Sequence, residues 1–215
     1  MEILFSDEDL LIVNKPSGLA TVPGSWEKES ISLVKLLEKD YGRLWVVHRL
    51  DKVTSGLVVF ARNPEAHRLL CMQFEHHETS KLYHAIVVGT PAWTDHTARH
   101  PLLINVGHRH RTVVDHAKGK PSETVFQVLE RLNGYTLISA SPATGRTHQV
   151  RVHAFALGYP LLDDTLYSAP ASSLIARPAL HAQSLKFNYE GRSFDFAVPY
   201  PADFAQALKK IRAGY

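Results

Sequence analysis

The stretch HRLDKVTSG, residues 48–56, joins two apolar segments of the 215-residue chain. LWVVH before it and GLVVFA after it are rich in the branched and aromatic residues that favour strands, which predicts a turn between two buried strands. An aspartate, Asp51, lies in this turn two residues after Arg49 and directly before Lys52. Its carboxylate is either an ordinary solvated turn residue or a group held ready for chemistry, because neighbouring charges alone do not separate the two.

Outward from this turn, the sequence predicts more strands and hairpins than helices. EILFSDEDLLIVNK contains two short strands around a Ser-Asp-Glu-Asp turn, and KLYHAIVVG is a further strand. Asn133-Gly134 and Glu190-Gly191-Arg192 each lie between two strand patterns, which predicts two hairpins. Helices are predicted for SISLVKLLEKDYG, NPEAHRLLCMQF, THQVRVHAFALGYP and ADFAQALKKI. We therefore expect an α+β domain with a largely antiparallel sheet.

A single domain over residues 1–215 is the expected organisation, because no linker, repeat or low-complexity tract divides the chain. No apolar run is long enough to span a membrane, and the first residues lack the basic start and apolar core of a signal peptide. The single cysteine, Cys71, excludes an internal disulfide and a thiolate-rich zinc site. We expect a cytoplasmic, monomeric protein with no membrane partner.

The segment from His96 to Lys120 is more basic than the chain as a whole, whose formal charge is +3. It has one acidic residue, Asp115, and five of the thirteen histidines. Its basic residues are Arg99, Arg109, Arg111, Lys118 and Lys120. We expect this segment to be a loop excursion from the sheet. A polyanion such as RNA is a natural partner for it, and a solvated basic loop explains the charge equally well.

A second basic cluster, TGRTHQVRVH, lies in the C-terminal half of the chain. Arg146 follows a Thr-Gly turn at the start of a predicted helix, and the helix then carries His148, Gln149, Arg151 and His153. Helix N-termini and guanidinium groups both favour anions. This cluster can therefore hold an RNA phosphate or an active-site carboxylate.

HRLDKVTSGLVVFAR resembles the catalytic motif of the RluA-type pseudouridine synthases, His-Arg-Leu-Asp-x-x-Thr-Ser-Gly-Leu. The family's other blocks follow in order, as VNKPSGLATVPG, KLYHAIVVG, TGRTHQVRVHAFALGYPLLDDTLY and LHAQSLKF. The resemblance spans about residues 3 to 204, and five ordered blocks are more specific than one motif. Asp163 stands where the family often has glycine, before the aspartate aligned with Asp164, and we expect local adjustment there without loss of activity.

The resemblance is strongest to short, single-domain members that lack an N-terminal RNA-binding module. It implies a pseudouridine-synthase-like fold with a mixed, largely antiparallel sheet, flanking helices and a catalytic cleft. It also implies an isomerase that converts uridines in structured ribosomal or transfer RNA to pseudouridine. The base is detached from its ribose, turned and rejoined through carbon 5. No redox change occurs and no atoms are lost, so no cofactor and no metal are expected.

The resemblance also implies roles for individual residues. Asp51 is the nucleophile, whether it attacks the sugar or the base, and Arg146 keeps its carboxylate ionised. Tyr83 stacks on the uracil and helps to remove the carbon 5 proton, although outside the motif it would be an ordinary strand aromatic. The uridine must leave its stack, and Arg49 is expected to fill the gap, with a phosphate contact as its alternative role. The side chains expected to contact RNA are His48, Arg49, Thr54, Lys81, Arg109, Arg111, His148, Gln149 and Arg151.

Three other functions stay open on the sequence alone. The pairs His76-His77 and His108/His110 suggest a metallohydrolase, but their spacing matches no common metal motif and no carboxylate-rich partner segment is present. A module that binds structured RNA without chemistry would carry the same basic clusters, and an assay for pseudouridine separates it from an enzyme. A glycosidase would need a second acid near Asp51, and the sequence offers no obvious one.

Neutralising Arg109 and Arg111 should weaken RNA binding and reduce its dependence on salt. Each bound phosphate releases counterions, so the slope of log affinity against log salt should fall by roughly 0.7 to 0.9 for each phosphate that the variant no longer neutralises. RNA-binding titrations over a range of salt concentrations measure this slope for the wild type and the Arg109→Gln/Arg111→Gln variant. An unchanged slope would mean that the segment faces solvent.

Overall fold

The computed structural model of the chain describes residues 1–24, 30–108 and 111–214. These residues form twelve strands and four α-helices, which confirms the predicted α+β class with a mostly antiparallel sheet. The strands are β1 (Glu2–Ser6), β2 (Leu10–Lys15), β3 (Trp45–Val46), β4 (Ser55–Ala61), β5 (Ser80–Val88), β6 (Asp95–Ala98), β7 (Leu102–Val106), β8 (Arg111–Val114), β9 (Thr124–Leu132), β10 (Tyr135–Pro142), β11 (Leu180–Tyr189) and β12 (Arg192–Ala197). The helices are α1 (Leu33–Tyr41), α2 (Pro64–Glu75), α3 (Gln149–Ala156) and α4 (Ala202–Arg212), with a short 3₁₀ helix at Thr165–Tyr167.

The chain divides into two compact units, each made of two stretches of sequence. Unit one consists of Met1–Ser80 and Ala182–Pro199, and unit two consists of Lys81–His181 and Tyr200–Tyr215. Two of the boundaries between the units fall inside strands, one in β5 and one in β11. Because each of these strands runs on through the boundary, no linker in the sequence marks it. Within the parts of the chain that the structure describes, no helix is long and apolar enough to cross a membrane.

Unit one is built on a sheet with β4 at its centre. β2 pairs antiparallel with β4 on one side and β1 follows beyond β2, while β11 lies on the other side and carries β12. Every residue of β4 is buried, in agreement with its continuous apolar sequence. Side chains of β2, β4, β11 and α2 share one hydrophobic core. The predicted hairpin at Glu190-Gly191 is confirmed, because it joins β11 to β12 with Tyr189 opposite Arg192.

Helix α2 begins as the sequence predicts. The Asn63 side chain accepts a hydrogen bond from the Ala66 amide at 2.9 Å, and Pro64 occupies the first turn, where its missing N–H leaves no hydrogen bond unmade. Ala66 and Leu70 are fully buried against the sheet of unit one. The cap and the apolar stripe together fix the helix that follows β4.

The predicted buried strand LWVVH is shorter and more exposed than expected. β3 contains only Trp45 and Val46, both of them half-buried. Two residues further on, the ring of His48 faces β4, and its Nε2 atom accepts the amide hydrogen of Val59 at 3.1 Å. The strand ends early because a side chain supplies a hydrogen bond that a longer strand would have made through its backbone.

Unit two contains its own run of strands in the order β5-β10-β9-β6. The predicted β9–β10 hairpin is confirmed, and Gly134 has the positive φ of 70° that such a tight turn requires. Helix α3 packs on these strands through Val150 and Ala154. Helix α4 contributes Phe204 and Leu208 to a separate hydrophobic cluster of the same unit.

The segment expected to be a loop excursion, residues 96–120, contains regular structure. β6 pairs with β9, while β7 and β8 form a separate two-stranded sheet that we call the basic hairpin. Leu102 and Lys120 exchange two backbone hydrogen bonds of 2.9 Å at its base. Arg111 is the first residue of β8, and Arg109 and His110 lie outside the described residues.

Gly56, the second residue of β4, allows β11 to approach β4 closely. Its φ is +117°, a conformation that residues with a side chain rarely adopt. A Cβ atom at this position would lie 2.2 Å from the carbonyl oxygen of Ala182 in β11. The glycine of the motif is therefore required by packing within unit one.

Gly56→Ala should destabilise the protein by about 3 kcal/mol or more, because the methyl group meets backbone and the φ angle is strained. Chemical denaturation measures the free energy of unfolding. Gly134→Ala is the matched control: its φ is also positive, but nothing lies within 4 Å of the added atom. Equal losses of stability in the two variants would show that the approach to Ala182 has no energetic weight.

Candidate active site

Asp51 lies in a tight turn of unit one. The Thr54 amide donates to the Asp51 carbonyl oxygen at 3.0 Å and closes the turn, and the Asp51 side chain is half-buried. The buried strand β4 begins at Ser55, directly after the turn, so the carboxylate lies next to a rigid element. A group held in this way is suited to chemistry that needs a fixed geometry.

A fully buried lysine, Lys15 at the end of β2, holds this turn from the N-terminal side. Its Nζ atom donates to the carbonyl oxygens of Leu19 at 2.7 Å, Pro16 at 3.0 Å and Lys52 at 3.4 Å. A buried ammonium needs such partners because it has lost its water. Lys15 was not among the residues expected at the site, although a lysine ending the apolar strand LLIVNK was a visible signal.

Three further contacts fasten the loop that follows Lys15 to the turn. The Gly18 amide donates to the Lys52 carbonyl oxygen at 2.8 Å, and the Ser17 hydroxyl donates to that of Val53 at 2.7 Å. The Thr21 hydroxyl donates to the Leu50 carbonyl oxygen at 2.9 Å and accepts from the Leu50 amide at 3.1 Å. The backbone is therefore held on both sides of Asp51.

The motif residues around Asp51 have different surroundings. The ring of His48 stacks on Phe74 with centroids 4.7 Å apart, in addition to its hydrogen bond with β4. Arg49 is exposed. Thr54 is only 2% exposed, and its hydroxyl has no hydrogen-bond partner among the residues that the structure describes.

In unit two, Gln149 holds the loop that carries Arg146. Its Oε1 atom accepts from the Thr144 hydroxyl at 2.6 Å and the Arg146 amide at 3.0 Å. Its Nε2 atom donates to the Glu123 carbonyl oxygen at 2.8 Å and the Thr124 hydroxyl at 3.0 Å. These four bonds use the whole capacity of the amide inside the protein, while the side chain of Arg146 is exposed.

Helix α3 starts later than the sequence predicts. Its first residue is Gln149, so Arg146 precedes the helix instead of opening it. The reason is the backbone of His148, which is left-handed with a φ of 56° and a ψ of 17°. Left-handed residues that are not glycine are uncommon and often mark functional sites.

Arg151 is buried in an ion pair with Asp164, which is also buried. The Arg151 Nε–Asp164 Oδ2 and Nη2–Oδ1 distances are 2.6 and 2.7 Å, a two-pronged geometry that matches a carboxylate to a guanidinium. Gln149 and Arg151, which were expected at the RNA surface, are 4% and 5% exposed. Both side chains are therefore engaged within unit two.

Lys81 and Tyr83 lie two residues apart on β5, so their side chains share one face of the strand. Both are half-buried, and burial lowers the pKa of the Lys81 ammonium. Tyr83 stands opposite Ala140 of β10 and packs against the core of unit two. The strand thus presents a cation and an aromatic ring side by side.

The predicted site residues fall into groups within each unit. His48, Arg49, Asp51 and Thr54 share the turn in unit one. In unit two, Lys81 and Tyr83 share β5, Arg146 and His148 share the loop before α3, and Arg111 lies in the basic hairpin. Across residues 1–24, 30–108 and 111–214, no group of three or more histidine, cysteine or acidic side chains is arranged to hold a metal ion.

The profile of the RNA pseudouridylate synthase family matches residues 9–156, a range that includes both the Asp51 turn and the Arg146 loop. The chain therefore belongs to the pseudouridine synthase family, as its motifs indicated, and it is an isomerase that acts on RNA.

Within this family the chain is of the RluA type. It is 41% identical over 206 residues to the dual-specificity RNA pseudouridine synthase RluA of Salmonella typhi, covering 94% of this chain and 93% of that protein. It is 38% identical over 204 residues to RluA of Escherichia coli K12, with the same coverage. The RluA protein of Vibrio vulnificus is 40% identical over 220 residues, covering 100% of this chain and 88% of that protein.

Solved structures agree with the fold. The human RNA pseudouridylate synthase domain-containing protein 4 has a TM-score of 0.81 at 25% identity, covering 98% of this chain and 93% of that one. The human RNA pseudouridylate synthase domain-containing protein 1 has a TM-score of 0.77 at 28% identity, covering 93% and 83%. The expected pseudouridine-synthase-like fold is confirmed.

His153, in the same helix as Arg151, is fully buried beside the residues that support the Arg146 loop. Its Nδ1 atom lies 2.9 Å from the Thr124 hydroxyl, and its Nε2 atom lies 3.1 Å from the His100 carbonyl oxygen. Burial lowers the pKa of His153 below its ordinary value of 6.5, and the His100 carbonyl opposes this only in part. The folded protein therefore holds His153 neutral where an unfolded chain would already be protonated.

Stability should fall as the pH drops below about 6.5, because the unfolded chain then binds a proton that folded His153 refuses. Replacing this histidine removes one such group, so His153→Gln should lose less stability between pH 7.5 and 5.5 than the wild type. Urea denaturation at several pH values measures the difference. His108→Gln, at an exposed histidine, serves as the control and should keep the wild-type pH dependence. An unaltered pH dependence in His153→Gln would contradict the assignment.

Proposed function

We propose that the protein converts uridines in structured RNA to pseudouridine with Asp51 as the nucleophile. The observation that carries this proposal is the Asp51 turn: a half-buried carboxylate in the family's motif, with its backbone held by Lys15, Thr21 and their neighbours. A nucleophile must be ionised and fixed in direction, and such a turn meets the second need.

Over the whole reaction, the ribose exchanges its bond to nitrogen 1 of uracil for a bond to carbon 5. Asp51 attacks the sugar or the base, and the bond from the ribose to nitrogen 1 of uracil breaks. The base turns, carbon 5 bonds to the ribose, and the bond made by Asp51 breaks so that its carboxylate is released. The carbon 5 proton leaves while nitrogen 1 gains one, so atoms and electrons balance. Tyr83 is proposed to stack on the uracil and to assist the loss of that proton, with Lys81 on the same strand face.

Arg146 is proposed to pair with Asp51 and to favour its ionised form. The support lies in the loop: Gln149 fixes the Arg146 amide at 3.0 Å, and the guanidinium stays exposed for an anionic partner. A guanidinium presents its donors in a planar fork that fits a carboxylate, which a lysine does not.

RNA is proposed to meet the protein through its exposed and half-buried basic side chains. Among the described residues these are Arg49, Lys81, Arg111 and His148, with Arg49 filling the gap left by a flipped uridine. Arg109, which lies outside the described residues, is proposed as a further RNA contact from its charge alone. His48, Thr54, Gln149 and Arg151, whose side chains are buried or bonded within the fold, are proposed to act by positioning these contacts.

The substrate is proposed to be a stem-loop of ribosomal RNA, transfer RNA or both. The support comes from the relatives, which are named dual-specificity RNA pseudouridine synthases and match nearly the whole chain. We further propose that the protein acts as a monomer in the cytoplasm, where its single cysteine, Cys71, stays reduced.

Asp51→Asn should reduce turnover by a factor on the order of 10⁴ or more, because the amide has the same shape but is not a nucleophile. RNA binding should stay close to that of the wild type. Pseudouridine formation under single-turnover conditions and RNA binding, measured in parallel, test this. Asp195→Asn is the control, since Asp195 is an exposed partner of Lys186 in the same unit. Substantial product from the Asp51 variant would refute the proposed role.

Arg146→Lys should lose far more turnover than RNA affinity, because a lysine keeps the charge but not the planar geometry. A carboxylate without its directed cation takes up a proton more readily, so the acid limb of the remaining activity should move to higher pH. Single-turnover rates across pH, with affinity measured alongside, decide between the roles.

Arg212→Lys is the matched control, because Arg212 holds Glu130 at the surface of unit two and should tolerate the change. An Arg146→Lys variant that lost only affinity would make Arg146 an RNA contact and would exclude the proposed pair.

A further inference from the structure

The hydroxyl of Tyr167 is a hydrogen-bond junction within unit two. It accepts the amide hydrogen of Thr112 at 3.1 Å, and it lies 2.9 Å from the Nδ1 atom of His148. Thr112 belongs to β8 of the basic hairpin, directly after Arg111, and His148 belongs to the loop that carries Arg146. One oxygen atom thus joins two elements that are far apart in the sequence.

Tyr167 itself is held firmly. Its side chain is 2% exposed and packs in a small apolar cluster with Leu102 of the basic hairpin and Val152 of α3. The guanidinium of Arg151, paired with Asp164, lies 5.1 Å from the centre of the Tyr167 ring. The ring has one packed position, so its hydroxyl can act as a fixed point for both partners.

The hydroxyl also keeps its proton. Burial raises the pKa of Tyr167 above its ordinary value, so the phenol stays neutral at physiological pH. It can then accept the Thr112 amide hydrogen and donate its own proton to Nδ1 of a neutral His148, which leaves the other ring nitrogen of His148 as a donor. His148 needs such support because its backbone is left-handed, with a φ of 56°.

We propose that Tyr167 is a positioning residue for RNA binding, because its hydroxyl ties the basic hairpin to the Arg146 loop. Arg111 and His148 then meet the RNA in a fixed arrangement. The inference rests on the proposed function, since it assumes that Arg111 and His148 contact RNA. Holding these two side chains in place before binding lowers the entropy cost of ordering them in the complex. Tyr167 touches neither substrate nor Asp51 in this role, so it should affect binding more than chemistry.

Tyr167→Phe removes the hydroxyl and keeps the ring. KM for RNA should rise roughly tenfold, the factor that 1.4 kcal/mol corresponds to, while kcat stays within about twofold of the wild type. Tyr200→Phe is a closely matched control, since the Tyr200 hydroxyl also bonds a histidine Nδ1, that of His84, at 2.7 Å in the same unit. Both variants lose one tyrosine–histidine hydrogen bond, and their melting temperatures measure the stability that each loses. A rise in KM that only Tyr167→Phe shows then reports a loss of positioning.

A double-variant cycle with Arg111→Gln tests the route of the effect. If Tyr167 acts by placing Arg111, the loss of RNA affinity caused by Arg111→Gln should be at least about threefold smaller in the Tyr167→Phe background, because the effects of coupled groups are not additive. Fully additive losses of affinity, or a Tyr167→Phe variant with altered melting temperature and wild-type KM, would overturn the inference and leave the proposed function intact. An Arg111→Gln variant with wild-type affinity would overturn both the RNA contact of the basic hairpin and the inference built on it.

Discussion

The Asp51 turn depends on the hydrogen bonds that join it to the loop after β2, and one of these comes from the fully buried ammonium of Lys15. An unpaired charge in an apolar interior is too costly to persist, and Lys15 is fully buried at the end of β2. Its carbonyl partners include Pro16 and Leu19, which belong to its own loop, and Lys52, which belongs to the turn. Separating loop from turn would therefore remove a partner from a charge that water does not reach. This coupling helps to keep the backbone around Asp51 in one geometry, since breaking the contact would leave the buried ammonium with one carbonyl partner fewer.

In unit two, a neutral side chain, that of Gln149, holds the Arg146 loop in place. Gln149 makes four hydrogen bonds that join the Arg146 loop to the backbone of Glu123 and the side chain of Thr124. Nearby, the buried pair of Arg151 and Asp164 fixes the start of the 3₁₀ helix. Buried polar groups of this kind contribute little net stability compared with apolar packing, but they specify one arrangement, because any alternative leaves a donor or acceptor unsatisfied. The Asp51 turn and the Arg146 loop are thus both shaped by hydrogen bonds from buried polar side chains.

The sequence predicted the elements well and the supporting contacts poorly, for physical reasons. Hairpin tips and the α2 cap depend on local chemistry, as at Asn63 and Gly134, and a short window of sequence contains it. The Asp51 and Arg146 loops could be found from their motifs. A motif does not show whether a side chain points toward solvent or into the protein. Gln149 points inward to bond residues 123 and 124, which lie some 25 residues away in the sequence and outside the motif. The early end of β3 was missed for the same reason, since it depends on a bond between His48 and Val59 across a turn.

Two left-handed residues show how the chain supports unfavourable backbone near its loops. A left-handed residue other than glycine costs about 1 to 2 kcal/mol. At His148 this conformation is accompanied by the hydrogen bond to Tyr167. At Asp163, where the family motif led us to expect glycine, φ is 60° and the side-chain Oδ1 accepts the Ser172 amide hydrogen at 2.8 Å. Aspartate tolerates this region better than most residues, and its carboxylate adds a bond that glycine does not have. The backbone at Asp163 is thus supported by its own side chain, next to the two-pronged pair of Arg151 and Asp164.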